Sequence, residues 1–296
     1  MSPIEEINSV SIKKILFATD FSATSRKAAC YAKALALHFS AFVEIAHVVS
    51  PTGSSLVPAG ADGLSSKLSR HVCEQYLENL RADFCLSGIA VRTVIPERYR
   101  PFAGVLKLAK DEKFDLIVAG TGSKSATERL VLGSTAEQLI RNAQCAILTV
   151  GPKAMLSFDA PIAFKSIVCA ADLSAEAIKV ARYALSFAED NSAHLYFCHV
   201  LDSKVDKSPK GQLLDVALRS AIEKIVPEYC SEHCHLEFVV EHGNAAKVIL
   251  ELAVRVRADL IVLGVHSALF WLTNLDHGVT PNLVVEAICP VLTVSK

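Results

Sequence analysis

The feature that most constrains this chain is a repeat inside it. The stretch "KKILFATDFSA" at 13–23 returns as "KSIVCAADLSA" at 165–175, an offset of 152 residues, and "AFVEIAHV" (41–48) matches "AHLYFCHV" (193–200) at the same offset. Further along, "VLKLAKDEKFDLIVAG" (105–120) returns as "ILELAVRVRADLIVLG" (249–264), now at an offset of 144, and "NAQCAILTV" (142–150) matches "EAICPVLTV" (286–294). The change of offset places eight extra residues in the first copy, in the Pro/Gly/Ser-rich segment "SPTGSSLVPAGADG" (50–63). A period this long is a duplicated domain rather than a solenoid repeat.

Each copy alternates short apolar runs with helical patterns. In the first copy strands are expected near 13–19, 41–49, 89–95, 114–120 and 145–150, with helices over 22–39, 64–86, 101–112 and 132–142. Runs such as "DLIVAG" and "AILTV" are apolar throughout, as parallel strands covered by helices on both faces must be. The expected fold class is α/β: two tandem, doubly wound, five-stranded parallel-sheet domains. The boundaries are drawn at 1–151 for the first domain, 152–162 for a linker and 163–296 for the second.

Composition narrows the function. Thirty basic residues against 31 acidic ones, scattered along the chain, give a net charge of −1. That balance lacks the basic face nucleic acid demands, so no nucleic-acid partner is expected. No apolar run approaches the roughly 18–20 residues of a membrane helix, so no membrane partner is expected either. "MSPIEEINSV" lacks the apolar centre of a secretory signal, and the expected location is cytoplasmic. Nine cysteines, several inside apolar strands, read as buried thiols rather than a disulfide framework. One cluster, "CSEHCH" (230–235), brings two thiols and two imidazoles together, but no distant second ligand pair completes a zinc site.

In a doubly wound sheet, ligands bind beyond the carboxyl ends of the strands where the strand order reverses. Strands one and four meet there, ending in "ATDFS" (18–22) and "AGTGS" (119–123). The segment "AGTGSKSATERLVLGSTAEQL" (119–139) fails as a Walker loop, because Gly122 is followed by Ser123 and no glycine stands at the required upstream position. It also fails as a dinucleotide fingerprint, with Ser125 in place of the third glycine. Gly120 and Gly122 nevertheless let a backbone approach a ligand closely. Gly133, Ser134 and Thr135 open the helix 132–142, whose first N–H groups and dipole attract phosphate. Lys124 and Arg129 add positive charge between the two halves.

This duplicated unit resembles the universal stress protein family over nearly the whole chain. Nucleotide-binding members of that family carry Gly-x2-Gly, nine residues, then Gly-Ser/Thr. The first copy reads Gly120-Thr-Gly122-Ser123, nine residues, then Gly133-Ser134, with Ser123 where the second glycine is usual. The second copy reads Gly264-Val-His-Ser267, nine residues, then His277-Gly278, so the closing Gly-Ser is lost. "ATDFS", "AHV" and "CPVL" (289–292) are further points of likeness. The resemblance implies a Rossmann-like fold of the adenine-nucleotide α-hydrolase-like kind. It also implies a regulatory protein that binds ATP or a related adenine nucleotide in the first domain, with Mg²⁺ as a possible companion. The implied binding positions are Ala18, Asp20, Val48, Gly120, Gly122, Ser123, Gly133, Ser134 and Thr135. Asp20 would lie against ribose or adenine, and the Val48 backbone would read the adenine edge.

Each position also has a plain structural use. Asp20 fits a cap of the helix that begins at Ser22, and Ser134 and Thr135 fit caps of their own helix. Gly120 fits a tight turn. His47 and His199 fit satisfied structural histidines, while His266 and His277 fit pocket filling. At Gly133 two effects are expected of the sister's histidine: an imidazole in the phosphate space, and a backbone angle that glycine takes more easily. Segment 50–63 is expected to act as a lid over the base. The resemblance also implies that the two domains pair through 145–150 and 289–294, with a homodimer of chains beyond that. Two rival functions remain: a stress-response scaffold that binds no nucleotide, and a slow ATP hydrolase. No nucleophile–base pair stands out, so an enzyme is not expected.

Overall fold

Strand β1 (Lys14–Ala18) is held at its start by a side chain from a distant strand. Oδ2 of Asp115, the residue before β4 (Leu116–Gly120), accepts from the N–H groups of Lys13 (2.8 Å) and Lys14 (2.9 Å), while the Asp115 N–H donates to Lys14 O (3.0 Å). The second copy builds the same clamp. Oδ2 of Asp259 accepts from Lys165 N (2.9 Å) and Ser166 N (3.0 Å), and its N–H donates to Ser166 O (2.7 Å). A backbone pair thus gains a charge-assisted second attachment at the point where the chain returns to its first strand.

The computed structural model describes residues 10–49, 63–97, 99–121, 132–155, 162–170, 177–201, 234–265 and 279–295. Two units emerge, Ile12–Pro152 and Lys153–Lys296, the latter joined by Val10, whose N–H donates to Ser186 Oγ (3.1 Å). In the first unit the chain runs β1, α1 (Ala23–Phe39), β2 (Phe42–Ala46), α2 (Gly63–Leu86), β3 (Val91–Val94), α3 (Pro101–Asp111), β4, α4 (Ser134–Asn142) and β5 (Ala146–Val150). Its strands are all parallel, in the order β3-β2-β1-β4-β5. The second unit runs β6 (Ser166–Ala170), α5 (Ala177–Asn191), β7 (His194–Leu201), β8 (His235–His242), α6 (Ala245–Arg255), β9 (Leu260–Val265), α7 (Val279–Glu286) and β10 (Val291–Ser295). Its order, β10-β9-β6-β7-β8, repeats the first, again all parallel. The doubly wound α/β class is therefore observed in both copies.

The repeat extends to backbone detail. Four helix or turn ends adopt left-handed conformations at matched positions: Ser40 (φ 51°) and Ser192 (φ 48°), then Lys113 (φ 54°) and Arg257 (φ 50°). None is glycine, so the surrounding turn holds each residue in a conformation that L side chains resist. Central strands are buried on both faces; all of Ala146–Val150 is inaccessible, as is Leu116–Ala119. Helix α2 seats Phe84 against Phe17 of β1, with ring centroids 6.3 Å apart and both side chains fully buried. The eight described cysteines are free thiols. Burial pushes Cys145 up to about 11 and Cys289 up to about 12, so these behave as small apolar side chains. Among the described residues no helix is long and apolar enough to cross a membrane.

The clamp makes a direct prediction. Asp115→Ala removes two charge-assisted hydrogen bonds and should lower the stability of the first unit by about 1–3 kcal/mol. Amide hydrogen exchange at Lys13 and Lys14 should rise, while exchange at Lys165 and Ser166 stays unchanged until Asp259→Ala is made. Undiminished protection of Lys13 and Lys14 in Asp115→Ala would show that the ladder alone holds the strand.

Candidate functional site

Because β1 lies between β2 and β4, the connections leaving β1 and β4 diverge to opposite faces and open a crevice at their carboxyl ends. The β1 side is a tightly bonded turn. Thr19 donates its N–H to Ala46 O (2.9 Å), and its hydroxyl accepts from Phe21 N (3.1 Å) and from the Ser25 hydroxyl (2.8 Å). Asp20 Oδ1 accepts from Ser22 N (3.0 Å), and Ser22 Oγ accepts from Ser25 N (3.2 Å) as the N-cap of α1. The helix cap is therefore Ser22. Asp20 acts one step earlier, fixing the N–H of the capping residue, and remains half-buried at the crevice. Phe21 takes φ 61° at the turn's tip.

Strand β2 supplies the next wall. His47 N–H donates to Val94 O (3.2 Å) and Val49 N–H to Pro96 O (3.2 Å), both toward β3, whereas Ala46 O faces Thr19 of the β1 side. Alternation along the strand then turns the Val48 N–H and C=O toward the β1 side, past the point where β1 has ended. The Val48 side chain packs on α3: a Cβ at Gly104 would lie 2.9 Å from both Val48 methyl carbons. His47 is buried, and its Nδ1 donates to Thr19 O (2.8 Å), which agrees with a structural role. The Phe21 ring covers His47 (centroids 4.5 Å) and meets Tyr76 of α2 (5.2 Å). Sequence reasoning missed Thr19, Phe21 and Tyr76. Only the first two had a signal, as the middle of "ATDFS".

Strand β4 forms the third side. Ala18 pairs with Ala119, which brings the two strand ends level. A Cβ at Gly120 would lie 2.6 Å from Ser25 N and 2.7 Å from Thr24 C, so the first turn of α1 rests directly on this glycine. Gly120 is needed for that approach by the chain's own backbone. Beyond it, Thr121 is buried and donates its N–H to Val150 O (3.1 Å). Gly133 N–H donates to Thr121 O (3.3 Å), returning the chain to the crevice. Gly122 and Ser123 lie outside the described residues, as do Lys124 and Arg129.

Gly133 is the N-cap of α4 and makes no side-chain cap; Ser134, exposed, and Thr135, half-buried, begin the helix. The first intrahelical bond runs from Glu137 N to Gly133 O (3.0 Å). The N–H groups of Ser134, Thr135 and Ala136 therefore have no acceptor within the helix. Gly133 itself has φ −63° and ψ 138°, extended backbone open to any residue. The expected need for a glycine-only angle is corrected: what matters there is the missing side chain. In the second unit Gly264 is the next-to-last residue of β9, but Asp172, His266, Ser267, His277 and Gly278 lie outside the described residues. So does most of the 50–63 segment. Among the described residues no group of three His, Cys, Asp or Glu side chains is placed to hold a metal.

Fold and crevice together define a tandem α/β protein whose candidate site lies at a strand switch point. The chain belongs to the universal stress protein family, whose sequence model matches residues 11–151 and 163–295. A universal stress protein of Methanocaldococcus jannaschii is 35% identical over 139 residues, 47% of this chain and 81% of the relative. One from Thermus aquaticus is 33% identical over 140 residues, 47% of this chain and 98% of the relative. Among solved structures, a universal stress protein from Archaeoglobus fulgidus has the same fold, with a TM-score of 0.74 over 96% of each chain at 18% identity.

The glycine at the end of β4 can be tested alone. Gly120→Ala should force α1 off the sheet and destabilise the first unit by about 1–3 kcal/mol, read as a shift in its urea midpoint. A midpoint equal to wild type would mean that α1 yields without cost.

Proposed function

We propose that the unit Ile12–Pro152 binds ATP or a related adenine nucleotide, and that the chain acts in the stress response through that occupancy rather than through turnover. The observation that carries the reading is the start of α4. Three backbone N–H groups, without a side-chain cap, open at the strand switch point, the arrangement that receives phosphate oxygens. Ser134 and Thr135 add hydroxyl donors. The outward-turned Val48 peptide offers one donor and one acceptor to a base edge, and Asp20 stands at the β1 end where a ribose would follow. Ala18 and Gly120 form the floor, and Gly122 and Ser123 complete the motif as the sequence reads. A magnesium ion, if it accompanies the phosphates, would find its carboxylate in Asp20. Cytoplasmic location and self-association of chains belong to the same proposal.

The non-nucleotide scaffold keeps one observation in its favour: Asp20 and Gly120 both already serve the chain's own turn and helix. Mass spectrometry of small molecules released from the denatured protein separates the two readings. The sharper test is Ser134→Glu. A carboxylate at the first helical position favours the helix dipole and should leave α4 intact, yet it repels phosphate. ATP affinity should fall about tenfold or more, corresponding to one lost charge-assisted contact, while adenosine binding holds. Unchanged ATP affinity would remove phosphate from the α4 start.

A further inference from the structure

The sequence offered half of a metal site in "CSEHCH" and no partner for it. The structure supplies one. His235, which ends that run, begins β8 directly beside His194, the first residue of β7. The two imidazoles stack with centroids 4.7 Å apart and ring planes 24° apart, and both residues are exposed. Backbone bonds fix the pair in register: His194 N–H donates to Lys165 O (2.8 Å) and His235 N–H to Ala193 O (3.1 Å). Behind them on the same face, Tyr196 lies 6.4 Å from His194 at 20°, so the His194 ring is backed by a second ring. The geometry is thus set by the ladder rather than by flexible loops.

We propose that His194 and His235 form a two-imidazole chelate for a borderline divalent transition ion such as Ni²⁺ or Cu²⁺. Neutral imidazole nitrogens suit these ions and discriminate against Mg²⁺ and Ca²⁺, which require oxygen ligands. Two metal–nitrogen bonds of about 2 Å at a near-right angle place the nitrogens roughly 3 Å apart. Rings stacked 4.7 Å apart at 24° aim their in-plane lone pairs nearly parallel, so the two exposed side chains rotate about χ1 and χ2 until their nitrogens converge on the ion. Cys234 faces away from His235 along the chain's alternation and is buried, so it does not join the pair. Among the described residues no third His, Cys, Asp or Glu side chain joins the pair. The bound ion would bridge β7 to β8 and tie two strands across their open ends.

The test uses the full chain. Calorimetric titration with Ni²⁺ should show a site whose affinity falls about tenfold or more in His194→Ala and again in His235→Ala, with the double variant no weaker than the singles by a comparable step. His194→Gln and His235→Gln, which keep polarity and size, should behave as the alanine variants do. His71→Ala, an exposed histidine on α2, should leave the titration unchanged. Electron paramagnetic resonance of the Cu²⁺ form should show coupling to two imidazole nitrogens, reduced to one in each single variant. Equal affinity in wild type and the β7 or β8 variants, or an equal loss in His71→Ala, would overturn the assignment.

Discussion

Everything at the crevice depends on β1 and β4 being neighbours, and that adjacency is secured at the opposite end by one aspartate. A chain that has built β1, β2 and β3 outward must come back past its own first strand, a long-range pairing that local sequence does not dictate. Asp115 fastens the return with two N–H groups of the β1 start and one carbonyl, and Asp259 repeats the device in the second unit. Once the amino ends are fixed, the register runs level to Ala18 beside Ala119. The two connections must then diverge, and the gap between them is the candidate site.

The walls of the candidate site are consequently tied down by bonds of the fold itself. Thr19 is bonded through its N–H, hydroxyl and carbonyl to β2, Phe21, Ser25 and His47. Gly120 lets α1 settle onto the end of β4 so closely that a methyl group would collide with its backbone. A site of this kind spends little binding energy on ordering its floor. The polar groups left over, at the Val48 peptide and the first turn of α4, are backbone groups whose direction follows from the strand and helix themselves.

The duplicated apolar runs made the fold legible because a parallel strand buried on both faces is nearly continuous in hydrophobic residues. Strands expected at 114–120 and 145–150 appear as Leu116–Gly120 and Ala146–Val150, and the helix expected over 101–112 as Pro101–Asp111. The site was less legible, for three physical reasons. Glycine is silent about which contact needs it, and Gly120 proves to serve a helix of the same unit. Backbone angles do not show in sequence, so extended Gly133 was credited with a special conformation while Phe21, Ser40 and Lys113 held the positive φ values. Cross-strand neighbours depend on register, and only the ladder brings His194 to His235.

The two copies can also be weighed against each other. Features that the fold requires recur in both: the aspartate clamp, the left-handed turns and the helix α3 matched by α6. The Gly-Ser that opens α4 does not recur; its counterparts are His277 and Gly278. A helix nevertheless forms at the equivalent place, α7, beginning at Val279. A Gly133-Ser134 pair is thus not needed to start a helix after the fourth strand of this fold. In the first copy the missing side chain at the N-cap leaves the first three N–H groups of α4 without an acceptor in the helix, a cost that a serine or aspartate cap would have reduced. Leaving them uncapped keeps the start of α4 open to an anionic group from outside the helix, which is the physical ground on which the proposed phosphate contact rests.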